Sequence, residues 1–210
     1  MKLYQSNGSP NSRRVRIFLA EKGISMPIVP VDLGAREQFL DAYARINPRR
    51  VVPTLVLDDG TGIGEVPVII RYLEEIHSAP PLLGDAPKAR ALVAMWDRRA
   101  EQEGFASVME AVRNTAPGLK NRAISGPHDY AQIPELVERS RQRVANFYAD
   151  FDARLAEVPF VAGETFSVAD ITTIVTVDFA AKAAGLSIGA DHAALKRWYD
   201  VVSVRASMAA

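Results

Sequence analysis

Ser9 and Asn11 fall in a stretch, MKLYQSNGSPNSRRVRIFLAEKG, where a short strand hands over to a helix. Lys2–Gln5 reads as the strand, Asn7-Gly8 as the turn leaving it, and Ser9-Pro10 as the helix start. Proline is favoured at the first helical position, so Ser9 falls on the N-cap with its hydroxyl among free backbone N–H groups. Those groups and the positive end of the helix dipole make the spot a place to hold an anion. A thiolate is one such anion. A thiol of pKa about 8.5 is only about 3% ionised at neutral pH. Lowering it by about 2 pH units makes it mostly thiolate, for about 2.7 kcal/mol of differential stabilisation. The chain has no cysteine, so any thiol used here must arrive with a ligand.

The elements that hold this loop can be read in order. Val15, Phe18 and Leu19 make one apolar helical face, and Gly23 ends the helix. Pro27–Leu33 is a β-rich run whose Pro30 assigns it to a sheet edge. Strand, helix and second strand form a βαβ unit with a right-handed crossover. A helical pattern follows over 34–46, closed by Asn47-Pro48. Strands at 54–57 and about 61–63 flank Asp58-Asp59-Gly60, a hairpin signal, and are antiparallel. Residues 65–76 read as a helix that buries Val68, Ile69, Tyr72, Leu73 and Ile76. The order βαβ-α-ββα makes an α/β domain over residues 1–77. Proline-rich residues 78–87 read as a linker. The rest, 88–210, carries only helical patterns, at 88–114, about 132–157, 168–184 and 192–204, and forms an all-α domain.

Composition bounds the function. The 210 residues suffice for one or two domains with real cores. Formal net charge is zero, which points away from nucleic acid and anionic membranes as partners. No apolar run approaches the roughly 18 residues of a membrane span, and Gln5–Asn7 interrupts any signal-peptide core, so a cytoplasmic location is expected. His77, His128 and His192 are isolated and show no metal-ligand spacing, so no metal is expected. Gly60–Gly64 lacks the G-x-G-x-x-G and P-loop spacings, and a hairpin turn explains it without a nucleotide.

The domain order resembles the glutathione S-transferase superfamily, with its thioredoxin-like domain first. LYQSNGSPNSRRVRIFLAEKG is similar to the first strand, catalytic loop and first helix. RRVVPTLVLDDG resembles the segment whose Val-Pro bond is cis, GEVPVIIRYLEE the opening of the third helix, and VAGETFSVADI the buried capping segment of the helical domain. Within the superfamily, MKLY…SPNSRRVRIFLAEKG, WDRRAEQEGF, TAPGL and VAGETFSVADIT look most like a bacterial member of the atypical fungal-type subgroup.

The resemblance implies glutathione as co-substrate and assigns roles. Ser9 matches the serine whose hydroxyl hydrogen-bonds the glutathione sulfur. Asn11 matches an asparagine that does so in bacterial members with a Thr-Pro-Asn stretch. In the fungal-type subgroup a water held by the helical domain replaces the serine; the corresponding stretch here, Met109–Asn114, lacks the serine and histidine for it. Val52 and cis-Pro53 would offer the Val52 peptide groups to the cysteinyl residue of glutathione. Glu65 and Val66 would meet the γ-glutamyl end, with Val66 standing where a serine usually adds a hydroxyl. Arg50 and Gln38 would meet the glycine carboxylate. Met95, Trp96, Arg99 and Phe105 are the expected lining of the electrophile pocket. Ser167–Asp170 is a capping box whose role is folding. The implied activity is conjugation of the glutathione thiolate to a small electrophile by a homodimer. Glutathione-dependent disulfide or peroxide reduction, or non-catalytic binding, are the alternatives.

Overall fold

Four strands and eight α-helices make up the computed structural model, which describes all 210 residues. Strand β1 (Lys2–Gln5) is parallel to β2 (Ile28–Pro30) and antiparallel to β3 (Thr54–Val56), which pairs antiparallel with β4 (Gly62–Ile63). The sheet order is β2-β1-β3-β4, so Pro30 lies on an edge strand, where a missing N–H breaks no ladder. Helix α1 (Pro10–Glu21) carries the crossover and packs with α3 (Val66–Ile76). Leu3, Val15, Phe18, Leu55, Ile69 and Leu73 are wholly shielded from solvent and form the core of this first unit. On the other face, Tyr43 of α2 (Asp41–Ala44) meets the Tyr4 ring edge-on at 6.1 Å, in a small cluster with Val31 and Val52.

Two expectations need correcting. The pattern over 34–46 forms a 3-10 turn (Glu37–Phe39) and the short α2 rather than one helix. Asp32 Oδ1 takes the N–H groups of Gly34 and Ala35, and Glu37 Oε2 takes the Asp32 N–H. These bonds cap the start of the segment, and the run is broken where Arg36 takes φ 59° and where Leu40 is extended at ψ 148°. In α3 the buried set is Val66, Ile69, Ile70 and Leu73, while Val68 and Ile76 are exposed. The helix carries two overlapping apolar registers, and α1 with the sheet covers the one at i, i+3, i+4 and i+7.

Gly23 takes φ +63° behind α1. Beside it the Lys22 ammonium is buried, bonding Glu74 at 2.5 Å and the His77 and Pro80 carbonyls at 2.7 and 2.5 Å. This ties the end of α1 to the chain leaving α3.

The two units part at Pro80–Pro81, within the expected linker, and Ser125–His128 falls with the first. The second unit is all-α. The pattern at 88–114 is α4 (Pro87–Arg99), a π-helical turn (Ala100–Phe105) and α5 (Ala106–Thr115) in direct succession. Helices α6 (Leu136–Glu157) and α8 (Ala193–Ser203) pack with them around α7 (Val168–Phe179), which is buried from Val168 to Val177. A polar threonine run can lie in that core because Thr173 and Thr176 donate to the Ala169 and Thr172 carbonyls, each at 2.7 Å.

The capping box starts α7 as expected. Asp170, fully buried, accepts from Val161 N at 2.9 Å, Trp198 Nε1 at 2.8 Å, Ser167 N at 2.9 Å and Ser167 Oγ at 3.1 Å. Burial pushes its carboxyl up to about 6 against the pull of those donors.

Candidate active site in the first unit

Strand register gathers the candidate residues at one end of the sheet. Partners run from Lys2↔Val56 to Tyr4↔Thr54, and from Val56↔Gly62 to Leu55↔Ile63. Ser6 follows β1, Val52 precedes β3 and Val66 follows β4 at that same end. Ser9 is tied to that end by its N–H, which bonds the Ser6 carbonyl at 3.1 Å.

Ser9 is the N-cap of α1, with extended backbone at φ −91°, ψ 121°. Its Oγ accepts the Ser12 N–H at 3.2 Å, and its carbonyl takes the Arg13 N–H at 3.0 Å. A hydroxyl that accepts one bond still has its proton to give. Pro10 has no N–H, so the Asn11 N–H is the first-turn donor left open at this helix mouth. Asn11 Oδ1 accepts from Arg14 Nη1 at 3.4 Å, which leaves the amide NH2 unengaged. Arg14 itself is 1% exposed, and Arg16 donates to Gln5 Oε1 at 2.6 Å. Arg14 and Arg16 are therefore built into the loop. Burial, and then the charge of Arg13, pull the Arg16 guanidinium below its ordinary value.

The Val52–Pro53 bond is cis, as expected. Neither peptide group of Val52 is hydrogen-bonded within the protein, whereas the carbonyl just before it is heavily engaged. Val51 O accepts Tyr43 Oη at 2.6 Å, Asn47 Nδ2 at 3.1 Å and Thr54 Oγ1 at 3.3 Å. Asn47 Nδ2 also reaches Thr54 Oγ1 at 2.8 Å, and its Oδ1 accepts the Arg49 N–H at 2.9 Å. Burial pushes the Tyr43 phenol above its ordinary value, so it remains a neutral donor. This network was missed in the sequence. Its signal was Tyr43 four residues before the Asn47-Pro48 stop, one helical turn apart.

Glu65 precedes α3 at φ 64°, ψ 122°, a conformation that costs a non-glycine residue about 1–3 kcal/mol. Such strain clusters at ligand sites. Its carboxylate is exposed. Pro67 supplies no N–H and the Val68 N–H turns back to Glu65 O at 3.1 Å, so the Val66 N–H is the open donor of this helix start. Gln38 and Arg50 lie on the connection between β2 and β3. Gln38 Oε1 is shielded and accepts no bond, and Arg50 holds φ 54° with its N–H on Asn47 O at 2.8 Å.

The remaining candidates lie in the second unit. Met95 is exposed, while Trp96 is buried edge-on to Phe151 at 5.6 Å, with the guanidinium groups of Arg99 and Arg154 at 4.6 and 4.8 Å from its ring. Arg99 is chelated by Glu103 at 2.9 and 3.1 Å, and Phe105 is buried 6.1 Å from the Phe179 ring. No group of His, Asp and Glu has the arrangement of a metal site.

A mixed sheet that ends in open peptide donors, flanked by helices and followed by an all-α unit, defines a thioredoxin-like domain joined to a helical domain. The family model for the glutathione S-transferase N-terminal domain matches residues 3–81, and that for the C-terminal domain matches 134–201. Glutathione S-transferase 2 of Saccharomyces cerevisiae is 34% identical over 211 residues, covering 99% of this chain and 88% of the relative. The solved structure of Gtt2 from that yeast superposes with a TM-score of 0.90 at 33% identity, over 100% of this chain and 99% of its own. A glutathione S-transferase domain-containing protein of Marinobacter aquaeolei does so with 0.91 at 34%, over 99% and 100%. The chain belongs to the glutathione S-transferase family, on the Gtt2-like side.

Proposed function

We propose that this protein binds glutathione at the open end of the sheet, lowers the pKa of its thiol, and delivers the thiolate to a small electrophile. The observation that carries the reading is the coincidence of unengaged polar groups at one end of the sheet: the Ser9 hydroxyl proton, the Asn11, Val52 and Val66 N–H groups as donors, and the Val52 carbonyl as acceptor. They suit an extended, acidic peptide with a thiol at its centre. Val52 would pair with its backbone, as an edge strand pairs with an added one. The Val66 N–H, at a helix start, would receive a carboxylate, and the exposed Glu65 would face the adjoining ammonium. Ser9 would donate to the sulfur, which favours the charged form. The open Asn11 amide favours a second version, in which the asparagine does this work. Gln38 and Arg50 would serve the glycine end, and Met95, Trp96, Arg99 and Phe105 the electrophile. A homodimer is proposed with this reading, on the family's habit alone.

Calorimetric titration with glutathione at neutral pH, repeated in buffers of different ionisation heat, tests the proposal. The expected result is micromolar-to-millimolar binding with net proton release. No heat at millimolar glutathione would sink it and leave a binding member of the family with another ligand.

A further inference from the structure

The two helices that open on the candidate site are joined at their far ends by one buried cation. Strand β1 is antiparallel to β3, and β3 to β4, so β1 and β4 point the same way. Helix α1 follows β1 and α3 follows β4, so both begin at the site end of the sheet, with Ser9 and Asn11 on one and Val66 on the other. They have 12 and 11 residues and pack together. Their lengths are therefore nearly matched, at about 18 and 16 Å. Lys22 is the C-cap of α1, and His77 is that of α3.

The Lys22 side chain is fully shielded from solvent. An ammonium has three protons to give, and here each finds an acceptor. They are Glu74 Oε2 in the last turn of α3 at 2.5 Å, the His77 carbonyl at 2.7 Å and the Pro80 carbonyl at 2.5 Å. Two of these belong to the end of α3, where the last carbonyls lack helical partners and a cation is favoured. Stability alone does not ask for this arrangement. Removing two charges from water offsets most of their attraction, and an apolar side chain of the same size serves as well. What the ammonium supplies is a fixed distance between two helix ends. With the far ends pinned and the lengths matched, the near ends keep a constant separation, and a displacement of about 1 Å at a reacting site can cost about 100-fold.

We propose that Lys22 is a positioning residue for glutathione: by clamping α1 to α3 through Glu74 and His77, it holds Ser9 and the Val66 N–H at the span of one γ-glutamyl-cysteinyl unit. The inference rests on the glutathione reading. Its consequence is specificity, because only a thiol that carries the γ-glutamyl group engages both helix starts at once.

The test compares glutathione with cysteinylglycine, which has the thiol but not the γ-glutamyl group, by calorimetry and by the pKa of each bound thiol. The wild-type chain should bind glutathione more tightly. Lys22→Met combined with Glu74→Gln removes both charges together, so no ion is left buried alone, and melting curves check its fold. This double variant should bind cysteinylglycine as the wild type does and lose about 10-fold or more of the preference for glutathione. The bound thiol pKa should stay where it was, because Ser9 and Asn11 travel with α1. Lys22→Arg keeps the charge, but a planar fork cannot meet three convergent acceptors in the same way. It should lose preference in the same direction, and it decides the matter if the double variant does not fold. If the deciding variant keeps the wild-type preference, the proposal is overturned and the glutathione reading stands. Parallel weakening toward both thiols, or a shifted thiol pKa, overturns it as well, since either marks general damage to the unit. A wild type that binds neither thiol sinks the glutathione reading, and the proposal with it.

Discussion

Ser9→Ala separates the two jobs assigned to one oxygen. The Ser9 hydroxyl accepts the Ser12 N–H at 3.2 Å as the cap of α1 and keeps a proton to donate. Losing the cap costs about 1 kcal/mol of stability, within a range of about 0.5–2. Losing a donor to a charged sulfur costs about 1.5–3 kcal/mol, which raises the pKa of the bound thiol by about 1 to 2 pH units. Ser9→Thr retains both functions and should resemble the wild type. The assay is a pH titration of the thiolate absorbance of bound glutathione, run beside urea unfolding of each variant. An alanine variant less stable by the cap's worth but with an unshifted thiol pKa would refute the reasoning for Ser9. If Asn11→Ala then gave the shift, the sulfur would belong to the asparagine.

Two further outcomes follow from buried networks. Asp170→Ala strands four donors in the core and should cost about 3–5 kcal/mol at neutral pH, read from denaturant unfolding. The native carboxyl, raised from 3.8 to about 6, keeps a proton that the unfolded chain has lost between those values. Its contribution to stability therefore falls as pH rises through that window, by about 3 kcal/mol in all, and the variant should lack this slope. Asn47→Ala removes bonds to Val51 O, Thr54 Oγ1 and the Arg49 N–H, and should destabilise by about 2–4 kcal/mol. Because Val51 precedes Val52, which is proposed to pair with glutathione, KM for glutathione should rise more than kcat falls; an unchanged KM would count against the positioning role.

The candidate site was legible to different depths. Ser9 was visible because a serine before a proline, behind a strand, states a helix start in adjacent residues. Cis-Pro53 and the Glu65–Val66 helix start were visible by resemblance, and the structure shows the cis bond and an open Val66 N–H. Burial of Arg14 was not visible, since the residue type argues for solvent and only its surroundings say otherwise. The helix expected over 34–46 failed because Arg36 takes the left-handed region at φ 59° and Leu40 is extended at ψ 148°, so the run is broken twice.

The sequence by itself determined the order of elements, the helix ends at Ser9-Pro10, Gly23 and Ser167–Asp170, and the edge position of Pro30. Each of these follows from conformational preferences and hydrogen bonds reaching no further than a few residues, so a local reading suffices. Tertiary structure alone decided which apolar register of α3 is buried, that Tyr43, Asn47 and Thr54 converge on the Val51 carbonyl, and that the Arg113 Nε is shielded without an acceptor. Burial and pairing depend on what other segments bring to the same place. A residue's own type and spacing carry only half of that information.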